Sequence, residues 1–498
     1  MKGIISTLLL SMLCVQAASA QTKHDYIWPI GYGMIGQSPS GHQFGGIIMD
    51  FNQSPISFTL QDYICDRPRA AISDKNGKLV AYSEGCRVIG ANHQTMLNGD
   101  TLGPGNVFNE YCGQNGDYPD YQPCIFLTSP NSDSLYYLFH IRGDDYWWSP
   151  MNLMYTVIDA SKENGLGAVV VKNQSILSDS FFLGGYVTAT RHGNGRDWWI
   201  ISPRRWSFNI HVASLTPEGV NYTGMQNFDT LGWVVDSSFC CSQTAFSQDG
   251  RKYFRNSRDN LVAYDFDRCS GKLSNPVKLD WDSLPFGGGG VATSPNSRFL
   301  YLTSGGTVQQ YDLWAPDWKN SMQVVAVYDG TLAPFPANFF QMMPGPDGKI
   351  YIVTSYDNNV LHVIHAPNEP GLACMVEQHA ITLPALSSFF SPNFANYNLG
   401  PVDPPCMISG TEEPDMTLIT AAQLHIWPNP TSDAIYWYGS GVRSSVQLYD
   451  ATGKWLFSTK INPEENMYSL DLSKLQPGLY MIRLECEGRT SLARVVKQ

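Results

Sequence analysis

One short pattern recurs six times between residues 70 and 370, and it constrains the fold more than anything else in the chain. A turn rich in Ser, Pro, Asn, Asp and Gly is followed at once by a run of aromatic and β-branched residues. The copies are SDKNGKLVAY (73–82), SPNSDSLYY (129–137), HGNGRDWWII (192–201), SQDGRKYF (247–254), SPNSRFLYL (294–302) and GPDGKIYI (345–352). Their turn residues, Asn76, Ser132, Asn194, Asp249, Asn296 and Asp347, stand 47 to 62 residues apart. Asn-Gly and Asp-Gly tolerate positive φ and favour tight hairpins. Runs such as Ile350-Tyr351-Ile352-Val353 suit strands buried on both faces. A second run usually follows, as in YTVIDASKENG (155–165), NIHVASLTPEG (209–219), LVAYDFDRCSG (261–271) and VQQYD (308–312). Each unit therefore offers two hairpin-linked strands and room for two more. A period near 50 residues with four strands per unit predicts a β-propeller. Six units are visible. A seventh closes the ring if FGGIIMDF (44–51) combines with a C-terminal strand near 377–397. Seven blades are favoured over six or eight, and closure removes strand edges that invite aggregation.

Composition agrees with an all-β chain. Charged residues are 15% and aromatics 12%, with 44 Gly and 31 Pro, which suits many turns and buried strands better than helices or disorder. At 498 residues more than one domain is expected. The net charge is −12 and no basic stripe exists, which argues against nucleic acid as a partner. Lys2, the apolar run Ile4–Leu13 and Ala18-Ser19-Ala20 read as an export signal over residues 1–20, cut between Ala20 and Gln21. The rival is a lipoprotein acylated at Cys14, disfavoured by Leu13 where a small residue belongs. No other stretch has the roughly 18 apolar residues of a membrane helix, so an integral membrane protein is not expected.

Eleven cysteines in an exported chain predict disulfides. Short separations favour Cys65 with Cys86 and Cys112 with Cys124. One of Cys240 or Cys241 suits Cys269, and Cys374 suits Cys406. No Cys-x-x-Cys pair or zinc spacing occurs, so neither a metal nor a cofactor is expected.

PVDPPCMISGTEEPD (401–415) marks a linker over 401–417 after a propeller body at 21–400. Residues 418–498 form a second domain. Its strands read as 424–428, 434–438, 445–450, 455–460, 467–472, 479–485 and 491–497, the spacing of an antiparallel, immunoglobulin-like β-sandwich. IWPNPTSDAI (426–435), VQLYDATGKWLF (446–457), YSLDLSKLQPGLYMIRLE (468–485) and RVVKQ (494–498) stand in an order that resembles the type A sorting domain of type IX secretion in Bacteroidota. Pro428, Asn429, Pro430, Gly453, Gly478, Tyr480, Arg494 and Lys497 carry the motif. The resemblance implies that the type IX secretion machinery and a surface sortase are partners, and that the protein ends up released or on the cell surface. Residues 72–99, 155–173, 191–201 and 294–302 resemble the WD-repeat-like or YVTN-like propellers of large secreted Bacteroidota proteins, which implies fold and location but little about a ligand.

Arg191, His192, Asn194, Arg196 and Asp197 form the densest polar cluster. Histidine beside a carboxylate suits acid–base work; the favoured reading is a blade turn whose His192 and Asp197 bond to backbone. Tyr146, Trp147 and Trp148, beside Asp144-Asp145, are candidates to stack on a ligand. Trp198-Trp199 with Trp206, and Trp314 with Trp318, are further aromatic clusters, the first read as core packing. Asp117-Tyr118-Pro119-Asp120 and Asp144-Asp145 lack the spacing of a calcium loop. His362 and His365 face opposite sides of a strand, and Arg142-Gly143-Asp144 is a chance tripeptide. Asp100-Thr101-Leu102, Asp133-Ser134-Leu135, Asp229-Thr230-Leu231 and Asp282-Ser283-Leu284 resemble the acceptor motif of Bacteroidota O-glycosylation. No nucleophile elbow, P-loop or dinucleotide fingerprint is present. The first expectation is a binding or adhesion module for a glycan, peptide or host protein. The alternatives are a propeller hydrolase or lyase acting on polysaccharide, with Arg191, His192 and Asp197 as its candidates, and a structural surface-layer component.

Overall fold

The computed structural model describes residues 21–37, 41–61, 67–113, 116–143, 151–179, 186–205, 207–233, 243–257, 260–280, 289–304, 306–389, 391–406, 430–438, 444–451, 454–461, 467–486 and 489–498. The chain divides into two compact units, 1–407 and 408–498.

The first unit is a ring of antiparallel sheets. Blade I holds β1 (Ile27–Gln37), β2 (Gln43–Asp50) and β3 (Ser57–Gln61). Blade II holds β4 (Ala70–Ser73), β5 (Leu79–Ser83) and β6 (Ile89–Gly90). Blade III runs β7 (Cys124–Thr128), β8 (Leu135–Gly143), β9 (Met151–Asp159) and β10 (Ala168–Asp179). Blade IV runs β11 (Thr188–Arg191), β12 (Trp198–Pro203), β13 (Ile210–Thr216) and β14 (Gly219–Gln226). Blade V runs β15 (Thr244–Phe246), β16 (Lys252–Asn256), β17 (Asn260–Asp267) and β18 (Lys272–Asp280). Blade VI runs β19 (Val291–Thr293), β20 (Phe299–Ser304), β21 (Thr307–Asp312) and β22 (Gln323–Val327). Blade VII runs β23 (Phe339–Pro344), β24 (Ile350–Thr354), β25 (Asn358–Ile364) and β26 (Val376–Ser387). The first strand of each blade packs on the first strand of the next from β1 through β23. The body is therefore a β-propeller of seven blades.

Closure joins the two ends of the body as expected. Residues 44–50 lie in β2, paired with β1 and β3, and β2 adjoins β26, the fourth strand of blade VII, in one seven-stranded sheet. A single parallel pair, Phe44 with Leu386, joins the two blades. Rings finish the seam, with Trp28 of β1 stacked edge-on against Tyr351 of β24 at 5.4 Å.

All six recurrent turns connect the first and second strands of their blades, so they share one face of the ring. Side-chain oxygens cap the turn amides. Asp74 accepts from the Asn76 and Lys78 amides at 2.8 and 3.0 Å. Asn194 accepts from Arg196 and Asp197 at 2.9 and 3.0 Å, and Asp249 from Arg251 at 3.1 Å. The turn needs one left-handed residue. Gly195 supplies it at φ +73, and a Cβ there would also stand 2.6 Å from the Pro401 nitrogen. These are Asx-type turns, which explains why Asn, Asp and Ser recur.

The strand runs are buried on both faces: all six residues of Trp198–Pro203 are buried. Trp198 and Trp199 each tie their blade to a neighbour. The Trp198 indole N–H donates to the Thr128 carbonyl at 2.9 Å, and that of Trp199 to the Arg268 carbonyl at 2.8 Å. Full burial of side chains of this size contributes about 1.5–3 kcal/mol each, and the indole bond removes the penalty of burying a polar N–H.

Residues 401–406, read as the start of a linker, dock on the body. The Val402 amide donates to the Gly193 carbonyl at 2.9 Å, and Cys406 is bonded to Cys269. The other described disulfide is Cys86–Cys112. These pairs correct the expectation built on short separations. Cys86 joins Cys112, not Cys65. Cys269 joins Cys406 across 137 residues, not Cys240 or Cys241. Cys124 and Cys374 are buried free thiols. Cys124 sits on a first strand in the core, where burial raises its thiol to about 12. Sequence proximity failed because the ring brings segments distant in sequence, such as the β17–β18 turn and the tail, side by side. Cys65, Cys240 and Cys241 lie outside the described residues, as do Ala20, Pro428, Asn429 and Gly453.

The second unit packs two sheets around one core. β27 (Ala434–Tyr438) pairs with β30 (Met467–Asp471). β28 (Ser444–Asp450), β29 (Trp455–Ile461), β31 (Gly478–Cys486) and β32 (Arg489–Lys497) form the other sheet in the order β29-β28-β31-β32. Ile435, Val446, Leu448, Tyr468, Leu470, Ile482 and Val495 meet between them. Six expected strands are present; 424–428 lies outside the described residues. Gly478 opens β31, the Tyr480 hydroxyl donates to the Gln476 carbonyl at 2.7 Å, Lys497 is buried and Arg494 is exposed.

Candidate functional site

The polar cluster at Arg191–Asp197 is built as a turn. The His192 Nε2 lies 3.0 Å from the Cys269 carbonyl, and its Nδ1 accepts the Asn194 amide at 3.0 Å. These two partners fix the Nε2–H tautomer and use both ring nitrogens. The imidazole also lies against Trp199, ring centres 5.3 Å apart. The Asp197 carboxylate accepts from Asn194 Nδ2 at 2.7 Å and Arg196 Nε at 2.7 Å. The two side chains sequence reasoning paired as acid and base are thus not bonded to each other but share Asn194; His192 bonds to backbone as expected, whereas the Asp197 carboxylate bonds to side chains instead. Arg191 lies 3.8 Å from the Trp198 ring centre, and burial lowers its guanidinium to about 10.

Other candidates resolve in the same direction. Asp117 forms an ion pair with buried Arg69 and another with Arg67 at 3.3 Å. Burial raises the Asp120 carboxyl to about 6 against the pull of Arg205 and Arg69. His362 is fully buried, while His365 faces outward with Nε2 2.7 Å from Glu377. Among the described residues no three His, Cys, Asp or Glu side chains are gathered as a metal site. Tyr146, Trp147, Trp148, Asp144, Asp145 and Trp206 lie outside the described residues.

The channel along the propeller axis is occupied by residues 391–397 of the chain itself. What remains beside them is a cavity of about 60 Å³, room for about two waters. Ligand space is therefore found on the faces. On the face of the recurrent turns, a groove of about 600 Å³ runs between blades V and VI and the docked tail. Its floor is Phe266, Leu313 and Ser297. Its walls include Asp249, Lys252, Asp265 and Asp267 on one side and Val402, Asp403 and Pro404 on the other.

Trp314 stands on the rim of this groove, 66% exposed. Its position is set by what surrounds it. Its amide donates to Asp312 at 3.1 Å, Asp312 holds Arg298 through bonds of 3.1 and 2.7 Å, and Arg298 lies 5.4 Å from the indole. Trp318, its partner in the sequence pattern, instead packs edge-on against Tyr311 at 6.2 Å. The carboxylates of the groove are mostly engaged. Asp265 binds Lys252 at 2.6 Å, Asp267 caps the Cys269 amide at 2.9 Å, and Asp249 caps its own turn. Such an arrangement offers one aromatic face and several groups able to bond hydroxyls; the Ser247 hydroxyl among them donates to Asp249 at 2.6 Å.

Sequence reasoning found Trp314 but missed the channel residues Gln122 and Asn393. A signal did exist. Ser391-Pro392-Asn393 repeats the Ser-Pro-Asn of the turns at 129–131 and 294–296, yet no strand-like run follows it.

Residues 425–498 match the model of the secretion system C-terminal sorting domain. This match shows export by type IX secretion and places the protein outside the cell or at its surface. No helix among the described residues is long and apolar enough to cross a membrane. No curated protein matches the chain. Similar solved structures include a candidate 6-phosphogluconolactonase from Bacteroides uniformis, 12% identical, covering 73% of this chain and 98% of its own, with a TM-score of 0.44. The Cps50 (Swd1) β-propeller domain from Myceliophteria thermophila is 8% identical, covering 67% and 94%, TM-score 0.37. A quinoprotein alcohol dehydrogenase-like protein from Bacteroides thetaiotaomicron is 12% identical, covering 75% and 78%, TM-score 0.36.

Proposed function

We propose that this exported propeller is a binding or adhesion module, and that its ligand is a glycan seated in the groove beside Trp314. The observation that carries the reading is an exposed indole, fixed by the Asp312–Arg298 pair, at the edge of a polar groove of about 600 Å³. An indole face stacks on the C–H face of a sugar ring, and side chains such as Lys252, Asp265 and Asp403 suit its hydroxyls. The enzyme reading rested on His192 and Asp197, whose side chains serve one turn and one blade contact.

The test is a glycan-array and peptide-library screen on the secreted protein, with product analysis of each hit. A glycan retained unchanged by the native protein, and bound at least tenfold more weakly by Trp314→Ala with an unchanged Tm, supports the reading. Retention unaffected by Trp314→Ala moves the site elsewhere, with Tyr146, Trp147 and Trp148 next. A cleaved polysaccharide replaces the reading with a hydrolase or lyase, and His192→Ala and Asp197→Ala then follow.

A further inference from the structure

We propose that the central channel is a peptide-binding site, that its ligand is an Asn-rich segment of this same chain, residues 391–402, and that Cys269–Cys406 latches it in place. The segment makes specific contacts with six of the seven blades. The Ser391 amide donates to Gln341 of blade VII at 3.3 Å. The Asn393 amide donates to the Arg69 carbonyl, ahead of blade II, at 2.7 Å. The Asn393 side chain donates to the Cys124 carbonyl of blade III at 3.1 Å and to the Val187 carbonyl, at the start of blade IV, at 2.7 Å. Its oxygen accepts from Gln122 at 3.3 Å, and Gln122 in turn accepts the Thr244 amide of blade V at 2.7 Å. Phe394 lies against Trp28 of blade I at 5.8 Å. The Asn396 side chain donates to the Gln248 carbonyl at 2.8 Å and the Tyr397 hydroxyl to the Phe126 carbonyl at 2.8 Å. Where the segment leaves, Arg268 holds the Gly400 carbonyl at 2.6 Å.

This is recognition by side-chain chemistry and not filling by bulk. Only a carboxamide can donate twice and accept once at position 393; Asp loses both donors and Leu all three partners. Asn393, Ala395 and Tyr397 are all buried, while Asn398 and Gly400 beyond them are exposed, so the channel grips the first half of the segment and the disulfide holds the second. A site read this way does not require the peptide to arrive from the same chain.

Hydrogen exchange of the full-length oxidised protein, read by mass spectrometry, tests occupancy. The amides of Asn393 and Val402, which donate to the Arg69 and Gly193 carbonyls at 2.7 and 2.9 Å, are expected to exchange at least 100-fold more slowly than in a free peptide of that sequence. The second arm uses Cys269→Ser/Cys406→Ser/Asn393→Ala protein, in which latch and anchor are both removed, and a fluorescein-labelled peptide SPNFANYNLGPV. Anisotropy is expected to show binding to this variant, none to the oxidised parent, and at least tenfold weaker binding of the peptide with Asn393→Ala. Free-peptide exchange rates in the parent, or equal binding of both peptides, overturn the proposal. If the variant does not fold, the exchange arm decides alone.

Discussion

The two described disulfides close loops of very different size, and this difference fixes an order for their contributions. Cys269–Cys406 spans 137 residues and Cys86–Cys112 spans 26. Cross-linking removes loop-closure entropy from the unfolded chain in proportion to the logarithm of loop length, giving about 5 kcal/mol for the longer loop and about 3.6 kcal/mol for the shorter. The longer one also holds the channel segment, whose buried bonds from Asn393 and Tyr397 are each worth about 1 kcal/mol while the segment stays docked. Cys269→Ser/Cys406→Ser is therefore expected to lose about 1.5 kcal/mol more than Cys86→Ser/Cys112→Ser, and further if the segment leaves the channel. The assay is urea unfolding of full-length protein at neutral pH, followed by tryptophan fluorescence, because Trp198 and Trp199 report contacts between blades. A larger loss in the Cys86→Ser/Cys112→Ser protein refutes the reasoning. It would mean that the 391–406 segment and its latch are not coupled to the stability of the ring.

Burial pushes the His362 imidazole down to about 4 and that of His140 below its usual range. An unfolded chain takes up these protons near pH 6.5 and the folded one does not, so stability falls as pH drops from 6.5 toward 4, by about 1.4 kcal/mol per unit for each histidine. Tm measured from pH 7.5 to 4.5 should decline, and His140→Gln should flatten the slope; a slope unchanged by that substitution counts against the assignment. Among the Asp-Ser/Thr-Leu tripeptides, Thr230 is exposed on a short turn whose Asp229 carboxylate is tied to Ser207 and Asn209 at 2.9 Å each. Leu102 is fully buried and Asp133 is paired with Lys75 at 2.6 Å, so Thr230 is the expected O-glycan site of the three described. Intact mass spectrometry should find an increment on the secreted protein that Thr230→Ala removes, and a bare mass sinks the idea.

The repeat was legible because hydrogen-bond capping and left-handed geometry admit few residue types. Asn76, Asn194, Asp249, Asn296 and Asp347 were placed by sequence at turns and the structure puts each between the first and second strands of a blade. The sandwich strands were legible for a related reason: alternation over short runs survives without long-range information. What the sequence concealed was long-range. Nothing near Cys406 points to Cys269, because their meeting depends on the ring bringing blades IV and V against the tail. Phe44 and Leu386 are likewise joined only by closure. For the site, Trp314 was visible as an aromatic, but its exposure depends on Arg298 and Asp312 holding it away from Tyr311, where Trp318 packs instead.

His192 illustrates why side-chain type alone misleads. Histidine, arginine and aspartate within seven residues satisfy a list of catalytic groups, yet a hairpin turn also needs acceptors for its amides and a ring to cover Trp199. The turn's amides are met by Asn194 Oδ1 and His192 Nδ1, the Asp197 carboxylate holds Arg196 and the Asn194 side chain, and the imidazole covers Trp199, and none of the four lines the groove. Function on this face must come from positions that the turn does not consume. Trp314 lies beyond the end of β21, past the last ladder bond, and Asp403 sits on the tail past the Val402 amide bond. Trp314 is fixed by Asp312 and Arg298 with its indole left exposed. That combination of fixed position and exposed face is what the proposed glycan site rests on, where blade VI and the latched tail border the groove.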